Sequence, residues 1–279
     1  MEIIVRAIVR VIVLPFVVLT AAGCGLAQEG PPVKHVKDIA AEQTEDVIVA
    51  SALCQRVRAS GHSLTHFLDV EPATLEADLS ALMQKSDDVV LVSYLRNQMS
   101  ALSPSGEDVI SYHDVIVLRS WKGSYKVGDL LTYAEPHGAV ICEPRPYKSS
   151  SLTAWTITGW TKTGGFNWDG PGSSGPSVLF LRQSQGNENQ FMPGLRLTGG
   201  DGLQGLFIVQ SPWTDKCSGT RPDDILKCSA AQDLSQAPIK LRYRLDPLKK
   251  EFEGMATSSF LKEVQSAADL SGDRGKVHP

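Results

Sequence analysis

No Cys-x-x-Cys pair occurs in this chain, and no other ligand spacing matches a closed zinc site. The strand-to-helix elbow Gly-x-Ser-x-Gly, which presents a hydrolase serine, is missing as well. No internal repeat is present. Charge of one sign is also lacking: 27 Lys and Arg against 31 Asp and Glu leave a net charge of −4. So mild a balance supplies no global attraction to nucleic acid or to an anionic membrane, and no nucleic-acid partner is expected. The apolar run at 11–22 falls short of the roughly 20 residues that span a bilayer.

What is present reads as an exported globular protein. The 279 residues are 42% hydrophobic and 21% charged, which is globular composition. Glycine (24) and proline (16) are plentiful and favour strands joined by turns. Arg6 and Arg10, then the apolar run, then small residues follow the order of a signal peptide over 1–24. Two processing sites compete. Ala21-Ala22-Gly23-Cys24 resembles a lipobox, in which Cys24 would be diacylated and anchor the chain stably. Gly25-Leu26-Ala27 before Gln28 would instead allow ordinary cleavage and a soluble product. The mass of the mature N-terminus separates the two. The expected location is therefore the outer membrane or periplasm as a lipoprotein, or the exterior as a secreted protein.

Either cut leaves Cys54, Cys142, Cys217 and Cys228, an even number in an exported chain, which suggests two disulfides. Cys217 and Cys228 share a loop-like stretch with Gly219 and Pro222 and are the expected partners, at roughly 2–3 kcal/mol for so short a loop. Cys54 then pairs with Cys142.

Residues 25–38, with Pro31-Pro32, read as a flexible spacer. Residues 39–85 read as a helical extension. The period of 39–57 is ambiguous and leans to helix, and Glu71-Pro72 opens a helix carrying Leu75, Leu79, Leu82 and Met83 on one face. Strands are predicted over 89–95, 109–118, 130–134, 139–142, 177–182, 202–210 and 239–245. In 109–118 Asp114 interrupts an otherwise apolar face, and Val115 and Val117 make the other face apolar too. In 239–245 Ile239, Leu241, Tyr243 and Leu245 alternate with Lys240, Arg242 and Arg244, which predicts one buried and one wet face. Residues 143–176 break the pattern and read as an inserted loop or hairpin. Residues 246–279 read as an amphipathic helix, beginning after Ser258-Ser259, and a polar tail.

The order of these elements, with Ser86-Asp87-Asp88-Val89-Val90, Tyr112-x-x-Val115, Trp121-Lys122-Gly123, Val127-Gly128-Asp129, Val140-Ile141-Cys142 and 178–181, resembles a known module. It is the OB-fold, netrin-type domain of tissue inhibitors of metalloproteinases and of bacterial exported relatives, and the likeness covers about residues 86–210. The resemblance implies a mainly β fold: an OB-like five-stranded barrel over 86–245 with the insertion at 143–176, a preceding short helix and a C-terminal amphipathic helix. It also implies that Cys142 pairs with the N-terminal cysteine of the module, which favours Cys54. The inhibitors bind the protease zinc through the free amine of a first-residue cysteine. Cys54 lies well inside the chain without a Cys-x-Cys, so that mechanism does not carry over.

Other motifs are weighed against plainer readings. His62 and His66 at i, i+4, with Asp69, would share a helix face and hold a metal, but Ser63 stands where zinc hydrolases need glutamate; the alternative is a polar connector. Gly170-Pro171-Gly172-Ser173-Ser174-Gly175 matches a dinucleotide pattern yet opens no helix, so it reads as loop. Trp155, Trp160, Phe166 and Trp168 form either a stacking surface for a peptide or glycan, or a roof over the barrel. The basic residues Lys240, Arg242, Arg244, Lys249 and Lys250 form either an anion-facing stripe or a solvated face. No cofactor, metal or catalytic residue is assigned. The expected function is a non-enzymatic binding module of the envelope or exterior, touching a protein or glycan through 143–176. A hydrolase with a site assembled across loops and a protease inhibitor are the alternatives.

Overall fold

The computed structural model describes residues 35–69, 75–146, 148, 150–160, 165–166, 176–184, 195–199, 204–210, 221–243 and 246–274. In chain order the elements are α1 (Val36–Glu42), α2 (Glu45–Ala50), α3 (Ala52–Ser60), β1 (Leu64–Asp69), α4 (Leu79–Lys85), β2 (Asp88–Leu102), β3 (Val109–Lys122), β4 (Leu130–Glu135), β5 (Gly138–Ile141), β6 (Thr153–Trp160), β7 (Gly165–Phe166), β8 (Ser177–Gln183), β9 (Arg196–Thr198), β10 (Leu206–Val209), α5 (Pro222–Ala230), β11 (Ile239–Leu241), α6 (Lys249–Phe252) and α7 (Thr257–Arg274).

The expected barrel is present and closed. β2 pairs with β3, β3 with β4 and β2 with β8, all antiparallel; β9 then joins β4 in parallel and β8 in antiparallel, which shuts the ring. Numbered along the chain, the ring runs first, second, third, fifth, fourth, an OB-like order. β8 divides its second edge: Ser177 to Leu179 face β10, and Leu181 to Gln183 face β9. β10 and β11 thus extend the sheet outside the ring. Register shifts at Val89/Val90, Leu91/Val92 and Tyr94/Gln98 let the long β2–β3 ribbon coil around the lumen.

The apolar runs at Val89-Val90 and Val178 to Leu181 follow from burial on both faces. Val90, Val92, Val115, Val117, Leu131, Tyr133, Leu179 and Leu181 fill the lumen. Val89, Val178, Phe180, Phe207 and Val209 point outward, where α4, α6 and α7 cover them through Leu82, Met83, Phe252, Phe260 and Val264. Helix α1 covers Ile110, Tyr112 and Ala134, and α5 covers Leu95 and Ile116.

Local chemistry sets the helix ends. Thr44, Ser51 and Asp78 each cap a first turn by accepting from the backbone N–H three residues on. The Asp78 cap starts α4 after Leu75, so the helix is shorter than the apolar spacing from Glu71 predicts; residues 71–74 lie outside the described residues. The ambiguous stretch 39–57 is helical, broken by the Thr44 and Ser51 caps.

A second sheet, β1-β6-β5 with β7 on β6, stands beside the barrel. It takes the predicted strand at 139–142 out of the ring and turns the insertion into structure: β6 and β7 make the hairpin, and β6 runs parallel to β1. The disulfide Cys54–Cys142, S–S 2.04 Å, pins α3 to this sheet inside a cluster with Leu53, Val57, Leu102, Val109 and Val140. It is the pairing that the resemblance implies. Cys228 is also disulfide-bonded, whereas Cys217 and Cys24 lie outside the described residues.

Candidate functional site

The chemistry-bearing side chains gather where the inward rows of the barrel change from apolar to polar. On β4 the inward positions are Leu131, Tyr133 and Glu135; beside them stand Tyr94 of β2 and His113 of β3. His137 follows β4, and Arg242 and Tyr243 follow β11. The predicted wet face of 239–245 therefore needs correction. The strand stops at Leu241, and Arg242 is 7% exposed, drawn inward by a carboxylate.

Glu135 is the centre of this cluster. Tyr133 Oη donates to its Oε1 at 2.9 Å, and the Tyr94 hydroxyl lies 2.9 Å from that of Tyr133. His137 Nε2 and Arg242 Nη2 lie 3.1 and 3.7 Å from Glu135 Oε2, and His113 Nε2 is 3.8 Å from Oε1. The His113 ring stacks on Tyr133 with centroids 5.0 Å apart and meets Tyr94 edge-on at 6.1 Å. Burial by itself would push the Glu135 carboxyl up; His137, Arg242, His113 and the Tyr133 hydroxyl overcome it and hold the acid at about 2. Burial pushes His113 down to about 4 and lowers His137 also, against the pull of Glu135. At neutral pH the cluster is thus one carboxylate, one guanidinium, two neutral imidazoles and a tyrosine pair. Glu135 is 2% exposed, so no substrate reaches it in this conformation.

A second ion pair closes the lumen elsewhere. Arg196 Nε lies 2.9 Å from Asp88 Oδ2, and its guanidinium rests over Tyr125 at 5.9 Å. Burial raises the Asp88 acid, and Arg196 opposes the rise.

Outside the barrel His66 Nδ1 lies 2.5 Å from Asp108 Oδ1, with the imidazole side chain 53% exposed and the carboxylate 10%. It ties β1 to the β2–β3 turn. His66 sits on a strand and His62 in the preceding turn, so the two do not share a helix face; among the described residues no group of three or more His, Cys, Asp or Glu is placed to hold a metal. A cavity of about 720 Å³ opens between α4 and α7, lined by Ala81, Gln84, Trp121, Lys122, Ala268 and Leu270 among others.

The predicted aromatic surface is only partly visible. Trp155 is half-buried on β6, opposite Thr65 of β1 and Ala139 of β5. Trp160 and Phe166 stand at the β6–β7 hairpin. Trp168 and Gly170 to Gly175 lie outside the described residues. Sequence reading missed the Glu135 cluster because its members come from four separate segments. The one local signal was the alternation Leu131, Tyr133, Glu135, which carries a carboxylate into a row that starts apolar. Asp114, the interruption in β3, faces the other way: its Oδ1 accepts from Val36 N at 3.2 Å and from Thr132 Oγ1 at 2.5 Å, which seats α1.

No helix among the described residues is long and apolar enough to cross a membrane. No family model, curated protein or solved structure matches the chain.

Proposed function

We propose that this chain is a netrin-type, non-catalytic binding module, exported to the cell envelope or beyond, which contacts its partner through the β1-β6-β5 sheet and the β6–β7 hairpin. The observation that carries the reading is the covering of the barrel. OB barrels commonly bind ligands across the second and third strands of the ring; here the outer faces of β3 and β4 are taken by α1 and α5. The added sheet bears the half-buried Trp155. Strand order and the Cys54–Cys142 bond favour the netrin-type relationship.

The alternatives have less behind them. A zinc-binding amine cannot come from Cys54, whose backbone N–H is inside α3 and donates to Ser51 Oγ at 3.2 Å. A hydrolase would use the exposed His66–Asp108 pair, but the hydroxyl across from His66 is that of Thr156, 1% exposed and already accepting from Val109 N. The test is capture of partners from an envelope extract with the tagged full chain. Replacing Trp155, Trp160 and Trp168 together by Ala should abolish capture while the circular dichroism spectrum stays the same. Capture undiminished by the triple replacement would reject this surface.

A further inference from the structure

We propose that Arg242 and Tyr243 form an acid-released plug in the mouth of the barrel: protonation of His113 and His137 surrounds the single Glu135 carboxylate with three cations and drives the plug out of the lumen. This does not depend on the partner-binding reading.

The plug is built to move. Tyr243 packs in the lumen with Val92, Leu131, Leu206 and Ile208, just beyond the end of β11. β11 has three residues; it pairs with β10 on one edge, and on the other Ile239 N donates to Met255 O and Ile239 O accepts from Gly254 N, both at 2.8 Å, while Leu241 N donates to Glu253 Oε2 at 2.9 Å, so the firm anchoring ends at Leu241, just before the plug. Beyond β11, Arg242 N donates to Leu206 O at 3.0 Å, and Tyr243 O accepts from Asp246 N at 3.2 Å. The next anchor is Asp246, which accepts from Gln204 Nε2 and Leu248 N, both at 3.0 Å. The five ring strands are each paired with a strand on both sides, whereas Arg242 and Tyr243 lie past the end of β11.

Charge supplies the trigger. The groups facing His113 are Tyr94 from β2, Tyr133 and Glu135 from β4, His137 after β4 and Arg242, with Asp114 next to it on its own strand. Those facing His137 are Glu135 and Arg242. Glu135 and Arg242 balance one another at neutral pH. Two added protons leave two uncompensated positive charges in a space with one carboxylate, and moving Arg242 into water is the shortest way to relieve them. His113 Nε2 lies 3.8 Å from Glu135 Oε1 and has no hydrogen-bond partner among the described residues, so an imidazolium there would face the carboxylate. Both histidines are depressed below their ordinary 6.5 by burial. A depressed base stabilises the closed form fully above 6.5, and that stability is lost as the pH falls towards about 4.

The experiment is amide exchange by NMR on the full chain from pH 7.5 to 4.5, with protection corrected for intrinsic rates. Protection of the Arg242 amide should fall reversibly, by about tenfold per pH unit for each histidine that titrates, while β2–β3 amides keep theirs. Replacing His113 and His137 by Gln should remove the pH dependence. Should that variant not fold, the imidazole C–H signals of the wild-type protein serve: both must titrate together with the loss of Arg242 protection. Unchanged protection down to pH 4.5, equal loss throughout the barrel, or histidines titrating near 6.5 with the Arg242 amide still protected would each overturn the plug.

Discussion

Gly123 shows how one residue can be demanded by a neighbour distant in sequence. Its φ is +97°, and a Cβ there would overlap the Asp88 carboxylate and touch the Asp87 carbonyl. Asp88 cannot yield easily, since it accepts from Ser124 N and pairs with Arg196. Gly123→Ala should therefore destabilise by about 2–4 kcal/mol, strain and a displaced ion pair together. Gly254→Ala is the control: φ is +82° with nothing within 4 Å, so only the conformational cost of about 1 kcal/mol applies. Urea midpoints for the two variants make the comparison, and equal losses would show that the Asp88 contact is irrelevant. The Trp121-Lys122-Gly123 triplet was visible in the sequence as one of the motifs that carry the resemblance. That its glycine guards a buried carboxylate was not, because Asp88 arrives from another strand.

Among the elements, α7 depends most on what lies under it. Phe207 of β10 stacks against Phe260 at 4.7 Å and touches Phe180 and Phe252 at 5.6 and 6.1 Å, so strand, sheet and two helices meet on one ring. Truncation of Phe207 to Ala should cost about 3–5 kcal/mol and release α7, read as loss of amide protection at Phe260 and Val264 before the β2–β3 ribbon. A loss below about 1 kcal/mol would mean that α7 is held by its other contacts. Strand and helix types were largely legible from pattern, since Leu131/Tyr133 and Phe260/Val264 follow the period of their element and the short apolar run Val178 to Leu181 is that of a strand buried on both faces. The second sheet was not. β1 carries exposed polar residues at Thr65 and His66, and its parallel partner β6 lies ninety positions on, so neither local alternation nor a hairpin turn announces the pair.

For the molecule as a whole, the Cys54–Cys142 bond joins the helical N-terminal segment to the second sheet over a sequence separation of 88 residues. Constraint of so long a loop in the unfolded chain amounts to roughly 3–5 kcal/mol. Replacing both cysteines by Ala should lower the thermal midpoint accordingly, and α3 amides should lose protection first; a midpoint unaltered by the replacement would show that the bond constrains nothing. Composition, the types of most barrel elements, the closed OB-like barrel and the pairing of Cys54 with Cys142 could be reached from the sequence, because apolar periodicity and turn residues act between near neighbours and a few motifs carried the rest; the strand β1 and the helix α5, in stretches read as connector and loop, could not. Tertiary structure alone decided that Arg242 leaves its wet face for Glu135, that Asp114 seats a helix, and that His66 is stapled to Asp108. Each of those outcomes depends on a charge or polar group meeting a distant partner in a low-dielectric space, and no pattern along one strand encodes what the facing strand will bring.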